Sequence, residues 1–175
     1  MIRLEYFRHA DFAQLMEWIS SPQFLIQWGG HTFQFPLDQQ QLAAYLSQAN
    51  TEASDKHIYR VVHEATGKVI GHINLQIDRI NNSARVGKVL VGDQSLRGQG
   101  IGQRMIEEAV RIAFGDFKVH RVNLGVFAYN HSALACYEKA GFVRDGLLRE
   151  ARKFGDQYWD LWEMSMLENE WAGLQ

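Results

Sequence analysis

A glycine-rich turn between an apolar run and an amphipathic segment is the part of the sequence best suited to chemistry. The run Val89-Leu90-Val91 is typical of a strand, and Gly98, Gly100 and Gly102 follow it at alternate positions, just before a helix pattern. The first N–H groups of a helix lack internal partners and carry partial positive charge, and glycine has no Cβ atom to hold an anion away. The sequence therefore predicts that this turn binds a phosphate or pyrophosphate.

The spacing of this turn excludes two common phosphate-binding loops. A P-loop ends in Gly-Lys followed by Ser or Thr, whereas Gly100 is followed by Ile101 and Gly102. The dinucleotide fingerprint requires a third glycine at a position that holds Gln103 or Met105 here. The pattern that remains is Arg97-x-x-Gly100-x-Gly102.

A second segment has the signature of a capped helix that ends at a glycine. It reads Asn130-His131-Ser132-Ala133-Leu134-Ala135-Cys136-Tyr137-Glu138-Lys139-Ala140-Gly141-Phe142. Either Asn130 or Ser132 is a suitable N-cap, and Gly141 is a suitable residue just past the C-terminus. One predicted helix and one predicted strand lie between this segment and the first motif.

The two motifs, in this order, resemble the signatures of the GNAT N-acetyltransferase superfamily. The similarity extends over roughly residues 1–171 and is greatest to the branch that includes ribosomal-protein N-terminal acetyltransferases and spermidine acetyltransferases. It implies an α+β fold with a mixed, mostly antiparallel sheet of about seven strands. A V-shaped splay is expected between the fourth and fifth strands, with about four flanking helices, in a single domain over residues 1–175.

The same resemblance implies acetyl-CoA as the cosubstrate. Its pyrophosphate is expected in the glycine-rich turn, its pantetheine arm along the backbone of the preceding strand, and Asn130 on that arm or holding the site. The residues expected to bind it are Val89, Leu90, Val91, Arg97, Gly98, Gln99, Gly100, Ile101, Gly102 and Asn130.

Tyr137 is the candidate general acid, because a phenol stays protonated at neutral pH and can donate to a departing thiolate. The resemblance places it at the family's acid position; the alternative is a core tyrosine. Asn130 lies two helical turns earlier on about the same face, and it also suits a helix cap.

The general base is harder to assign. Some members of the superfamily carry a glutamate on the strand before the loop, but that strand reads Ala84-Arg85-Val86-Gly87-Lys88-Val89 and has no carboxylate. His72 on the neighbouring strand is a candidate that would act through water, since imidazole titrates near neutrality. A structural histidine is the competing interpretation.

The acceptor is expected to be a primary amine next to an aromatic surface. Trp28, Phe33 and Trp159 are the candidate substrate-binding residues, with Trp28 as a partly exposed stacking surface; the competing interpretation is that these aromatics only cover the sheet. An α-amine at a protein N-terminus is favoured, because its low pKa demands less of a base. The alternatives are a small amine such as a polyamine or aminoglycoside, or a CoA-binding module without turnover.

Composition is that of an ordinary globular chain. It has 175 residues, 46% hydrophobic and 22% charged, with a net charge of −2, so nucleic-acid binding is not expected. The single cysteine, Cys136, provides neither a disulfide framework nor a metal cluster. Without a signal peptide or membrane-spanning run, a cytoplasmic monomer or homodimer without a metal is expected.

Periodicity and turn residues predict the order of the elements. Seven strands are predicted over 2–7, 57–64, 69–77, 84–91, 118–127, 142–153 and 157–167. Four helices are predicted over 11–19, 38–49, 100–114 and 130–140, and the stretch 22–36 is predicted to be irregular.

Overall fold

A seven-stranded sheet forms the centre of the protein, as seen in a computed structural model that describes residues 1–174. The strands are β1 (Ile2–Tyr6), β2 (Lys56–His63), β3 (Val69–Asp78), β4 (Ser83–Val91), β5 (Arg121–Phe127), β6 (Val143–Phe154) and β7 (Gln157–Leu167). Their order across the sheet is β1-β2-β3-β4-β5-β7-β6, and only the β4–β5 pair is parallel. The predicted mixed, mostly antiparallel sheet is confirmed.

The parallel pair separates soon after it forms. Three residues of β4, Ser83 to Arg85, are in register with Arg121 to Asn123 of β5, and beyond Arg85 the two strands no longer pair. The predicted V-shaped splay is therefore present. It leaves one edge of the second half of β4 without a neighbouring strand, which is where a ligand can lie against the backbone.

The helices cover both faces of the sheet. They are α1 (Phe12–Trp18), α2 (Pro22–Gly29), α3 (Gln39–Leu46), α4 (Ile101–Arg111), α5 (His131–Lys139) and α6 (Glu168–Ala172). Helices α4 and α5 bury Met105 and Leu134 in the larger apolar core, whereas α1 to α3 bury Leu15, Leu25 and Leu42 in a second core. Because side chains alternate along a strand, the two cores lie on opposite faces.

Several local predictions were wrong. The stretch predicted to be irregular begins with α2, where Ser21 Oγ accepts a hydrogen bond from Phe24 N and Pro22 is the first helical residue. The described residues contain six α-helices rather than four, since α6 was also missed. The helix predicted to Phe114 is regular only to Arg111 and then passes into a π turn at Ile112–Asp116, so the following strand begins at Arg121 rather than at 118.

Among residues 1–174, no helix is long and apolar enough to cross a membrane.

Candidate active site

The glycine-rich turn opens α4 with an unobstructed backbone. Gly98 and Gly100 have φ angles of 76° and 78°, in the left-handed region that glycine adopts without strain. No described atom lies within 4 Å of a Cβ built on either residue. Gly100 is the N-cap of α4 and has no side-chain cap, so the first N–H groups of the helix are available to an anion.

Arg97 adds a full positive charge to this turn. Its Nε atom donates a hydrogen bond to the carbonyl of Val91, 3.2 Å away, which holds the guanidinium beside the end of β4. The Val91 carbonyl, on the strand expected to hold the pantetheine arm, thus already accepts one hydrogen bond. The charge of Arg97 and the helix N-terminus favour the same ligand, an anion.

The turn borders a cleft of about 540 Å³ inside the β4–β5 splay, which we call the loop cleft. Its lining includes most of the predicted acetyl-CoA residues, namely Val89, Leu90, Val91, Arg97, Gly98, Gly100, Ile101, Gly102 and Asn130. Gln99 is not on the lining; its side chain donates to the Ser95 carbonyl.

Tyr137 of α5 also lines the loop cleft. Tyr137 is only 9% exposed. Burial raises the pKa of its phenol well above the usual value, and the neighbouring Cys136 raises it further. The phenol therefore keeps its proton at physiological pH. No side chain or backbone group of residues 1–174 is hydrogen-bonded to its hydroxyl, so a ligand would not have to compete for it.

Asn130 caps α5, as one of its two predicted roles requires. Its Oδ1 atom accepts hydrogen bonds from Ala133 N at 3.3 Å and Ser132 Oγ at 3.1 Å, so it caps α5. It lines the loop cleft as well. The cap fixes the start of the helix that carries Tyr137.

A bulge in β4 was not predicted. Lys88 and Val89 together face one residue of β3, Ile73, and Lys88 has a φ angle of 50°. The Lys88 carbonyl accepts hydrogen bonds from Trp28 Nε1 at 2.9 Å and His72 Nδ1 at 3.1 Å. A lysine gives no sequence signal for a bulge, because the left-handed region is usually occupied by Gly, Asn or Asp.

His72 lies behind the site rather than on its surface. It is 1% exposed and lines neither the loop cleft nor the second cleft described below. Its Nδ1 atom must donate, because the Lys88 carbonyl only accepts, while Nε2 is buried without a partner among the described residues. Burial lowers the pKa of His72 to about 4. This position gives no support to its predicted role as a base acting through water.

The buried His72 makes the fold sensitive to acid. Its pKa is lowered from 6.5 to about 4, so the unfolded chain binds the proton first and stability falls as the pH drops from 6.5 towards 4. Full protonation should cost on the order of 3 kcal/mol. Urea unfolding at pH 7 and at pH 4.5 should show a smaller loss for His72→Asn, which keeps a donor for the Lys88 carbonyl. Equal losses for the variant and the parent would contradict this origin.

A second cleft, of about 750 Å³, lies on the face covered by α2, and we call it the α2 cleft. Its walls are α2 with the following turn on one side and part of β6 on the other, and its floor is the splayed part of β4 and β5. His31 Nε2 and the Lys153 carbonyl, 3.1 Å apart, join the two walls.

The aromatic candidates are distributed unevenly around this cleft. Trp28 lines both clefts, but it is 6% exposed, so the expected partly exposed stacking surface was wrong. Phe33 stacks on Trp28 with ring centroids 5.4 Å apart and lines neither cleft. Trp159 packs against Phe127 and Phe154 and also lies behind the surface. Of the three aromatic candidates, only Trp28 therefore lines a cleft.

A split sheet with a glycine-rich, anion-binding turn beside it is the arrangement of an enzyme that uses a phosphate-bearing cosubstrate. The acetyltransferase (GNAT) family matches the chain over residues 12–142, and the chain belongs to this family. The predicted class, an acetyl-CoA-dependent N-acetyltransferase, is confirmed.

Two named relatives align with more than two thirds of the chain. An aminoglycoside N(6')-acetyltransferase type 1 from Klebsiella pneumoniae is 26% identical over 154 residues, 83% of this chain and 75% of that protein. A spermidine N(1)-acetyltransferase from Vibrio cholerae is 28% identical over 127 residues, 69% of this chain and 72% of that protein. The crystal structure of spermidine N-acetyltransferase from Vibrio cholerae with CoA and spermine has a TM-score of 0.84, at 20% identity and 98% coverage of both chains.

Proposed function

We propose that this enzyme transfers the acetyl group of acetyl-CoA to a primary amine of a small molecule. Relatives named for a polyamine and for an aminoglycoside support a small acceptor better than the protein N-terminus that the sequence favoured. The α2 cleft, whose two walls are joined by the contact between His31 and the Lys153 carbonyl, supports the same choice.

The observation that carries the proposal is the meeting of the two clefts at the splay. Eight residues line both of them: Gln27, Trp28, Val86, Gly87, Lys88, Gly125, Phe127 and Leu161. A thioester that enters through the loop cleft and an amine that enters through the α2 cleft would therefore reach each other through the sheet. Holding two reactants in such a geometry is itself a large part of catalysis.

The chain's residues suit each part of a direct transfer. The turn at Gly98 to Gly102 and Arg97 would hold the pyrophosphate, and the free edge of β4 would hold the pantetheine arm. The amine nitrogen attacks the carbonyl carbon, a C–N bond forms, and the C–S bond breaks. The departing thiolate takes the proton of Tyr137, and the second proton, which the attacking nitrogen loses as the amide forms, passes through solvent and restores the phenol. Neither cleft lining, among the described residues, contains an aspartate or glutamate, so the ammonium proton passes to water.

Release of the CoA thiol tests this function. Purified protein, acetyl-CoA and a panel of small amines, lysine peptides and N-terminal peptides should give amine-dependent thiol release with at least one small amine. Binding of CoA without turnover of any amine would instead indicate a non-catalytic CoA-binding module. Turnover confined to N-terminal peptides would restore the original acceptor prediction.

A further inference from the structure

Four basic residues line the α2 cleft. Arg85 and Lys88 come from β4 on its floor, and Arg152 and Lys153 come from β6 on its wall. Within the part of the chain that the structure describes, no aspartate or glutamate is on the lining. A cleft of one sign concentrates ligands of the opposite sign and repels like charge.

One of these cations is already neutralised. Arg85 reaches across Gly125 to Glu163 on β7, and its Nη1 and Nη2 atoms donate to the two carboxylate oxygens at 2.9 and 2.8 Å. Such a two-point pair is strong and geometrically fixed. Arg85 therefore links β4 to β7 where the splay begins, and Glu163 offsets its charge.

Lys88 has no such partner. Its Nζ atom lies over the rings of Phe33 and Tyr45, 5.8 and 5.4 Å from their centroids, and no carboxylate of residues 1–174 is paired with it. The aromatic faces attract the cation but do not neutralise it. Burial lowers the pKa of Lys88 to about 8, so the ammonium form still predominates at neutral pH. Lys88 is one of the residues that line both clefts, so a side chain whose charge no carboxylate offsets belongs to the region where they meet.

The opposite wall adds a second uncompensated cation. Arg152 is half-buried, and one of its guanidinium nitrogens donates to the carbonyl of its own neighbour, Ala151, at 2.8 Å. That bond fixes the side chain without cancelling its charge. Lys153 is more exposed and its Nζ atom lies over Tyr158. Lys88 and Arg152 are thus the two partly buried cations on the lining of the α2 cleft that are not paired with a carboxylate of residues 1–174.

We infer that the acceptor of this enzyme is a small amine that also carries an anionic group, a carboxylate or a phosphate, bound by Lys88 and Arg152 in the α2 cleft. The inference rests on the proposed function and narrows it. A polyamine carries two or more positive charges and would place one of them beside Lys88. Recognition of this kind depends as much on rejecting the wrong charge as on attracting the right one.

Matched acceptors that differ only in charge test the inference. The acids are ω-amino carboxylates in a graded series of chain lengths, each paired with its ω-amino amide and with the diamine of the same length. Aminoalkyl phosphates form a further arm that separates phosphate from carboxylate. The kcat/KM of the best acid or phosphate should exceed that of its amide by about tenfold or more, the typical strength of a charged hydrogen bond.

Two variants test whether Lys88 and Arg152 cause the preference for acidic acceptors. Lys88→Met keeps the length of the side chain without its charge, and it should remove about tenfold of the preference, mainly through KM. Arg152→Gln should act in the same direction and serves as the independent variant if Lys88→Met does not fold. Lys68→Met, on the exposed turn between β2 and β3, is the matched control and should keep the preference.

The outcomes are distinguishable. Faster turnover of diamines or amides than of the acids overturns the inference and leaves the proposed function intact. An equal fall in kcat for acid and amide in Lys88→Met also overturns it, because the lysine would then act on the amine itself. Absence of turnover with every amine overturns the proposed function and the inference with it.

Discussion

Replacement of Tyr137 by phenylalanine should lower kcat about 100-fold to 10,000-fold, the range typical of general acid catalysis. The affinity for acetyl-CoA should change little, because the hydroxyl acts when the thiolate departs rather than when the thioester binds. Its hydroxyl has no partner among the described residues, so its removal breaks no hydrogen bond of the fold. Steady-state kinetics and calorimetric titration with CoA, on the same preparation, measure the two effects separately.

Tyr158→Phe provides the matched control. Tyr158 is exposed on β7 and lines neither cleft, so loss of its hydroxyl should leave kcat unchanged. A Tyr137→Phe protein with near-normal kcat would show that solvent protonates the thiolate. The raised pKa of Tyr137 adds a second expectation, since kcat should show no loss from phenol ionisation as the pH rises to 9.

The parts of the site that were predictable depend on local backbone chemistry. Gly98 and Gly100 are needed because their φ angles are positive, and Asn130 because it caps α5. Such requirements restrict residue type at one position and its immediate neighbours, so they can be recognised in a single sequence. The same holds for the apolar strand before the turn.

The features of the site that the sequence did not predict depend on contacts between residues far apart in the chain. The bulge at Lys88 is held by Trp28 and His72, which are 60 and 16 residues away in the chain. His72 has an ordinary strand environment in the sequence, and its burial follows only from packing under Trp28 and Tyr45. Periodicity cannot distinguish such a histidine from one that faces a ligand.

The failure to predict helix α2 from the sequence has a different cause. Its start was readable, since Ser21 before Pro22 is a standard N-cap and first-turn pair. The stretch after it was nevertheless predicted to be irregular, because it is rich in aromatic residues and contains two adjacent glycines. Trp28 was predicted to be a partly exposed stacking surface, whereas the helix turns its indole inward to the carbonyl of Lys88.

The largest expected effect on binding comes from Gly102→Asp. A Cβ atom at this position would lie 3.5 Å from Cys136 Sγ and 3.9 Å from Val91 Cγ2, ordinary van der Waals distances, and Gly102 has no left-handed φ. An acidic side chain in the first turn of α4 should even stabilise the helix, by about 0.3–1 kcal/mol. It would stand where the pyrophosphate is expected, and repulsion between the two charges should weaken CoA binding about 100-fold or more.

Gly102→Ala separates size from charge, since it adds the Cβ atom alone and should fold at least as well as the parent. Gly100→Asp is a less clean test, because its φ of 78° adds backbone strain whatever the side chain does. Thermal unfolding and calorimetric titration with CoA should therefore give Gly102→Asp a melting temperature no lower than the parent's and a much larger Kd. If the folded Gly102→Asp protein binds CoA as tightly as Gly102→Ala does, the pyrophosphate does not lie at the N-terminus of α4, and the assignment of the loop cleft to acetyl-CoA is wrong.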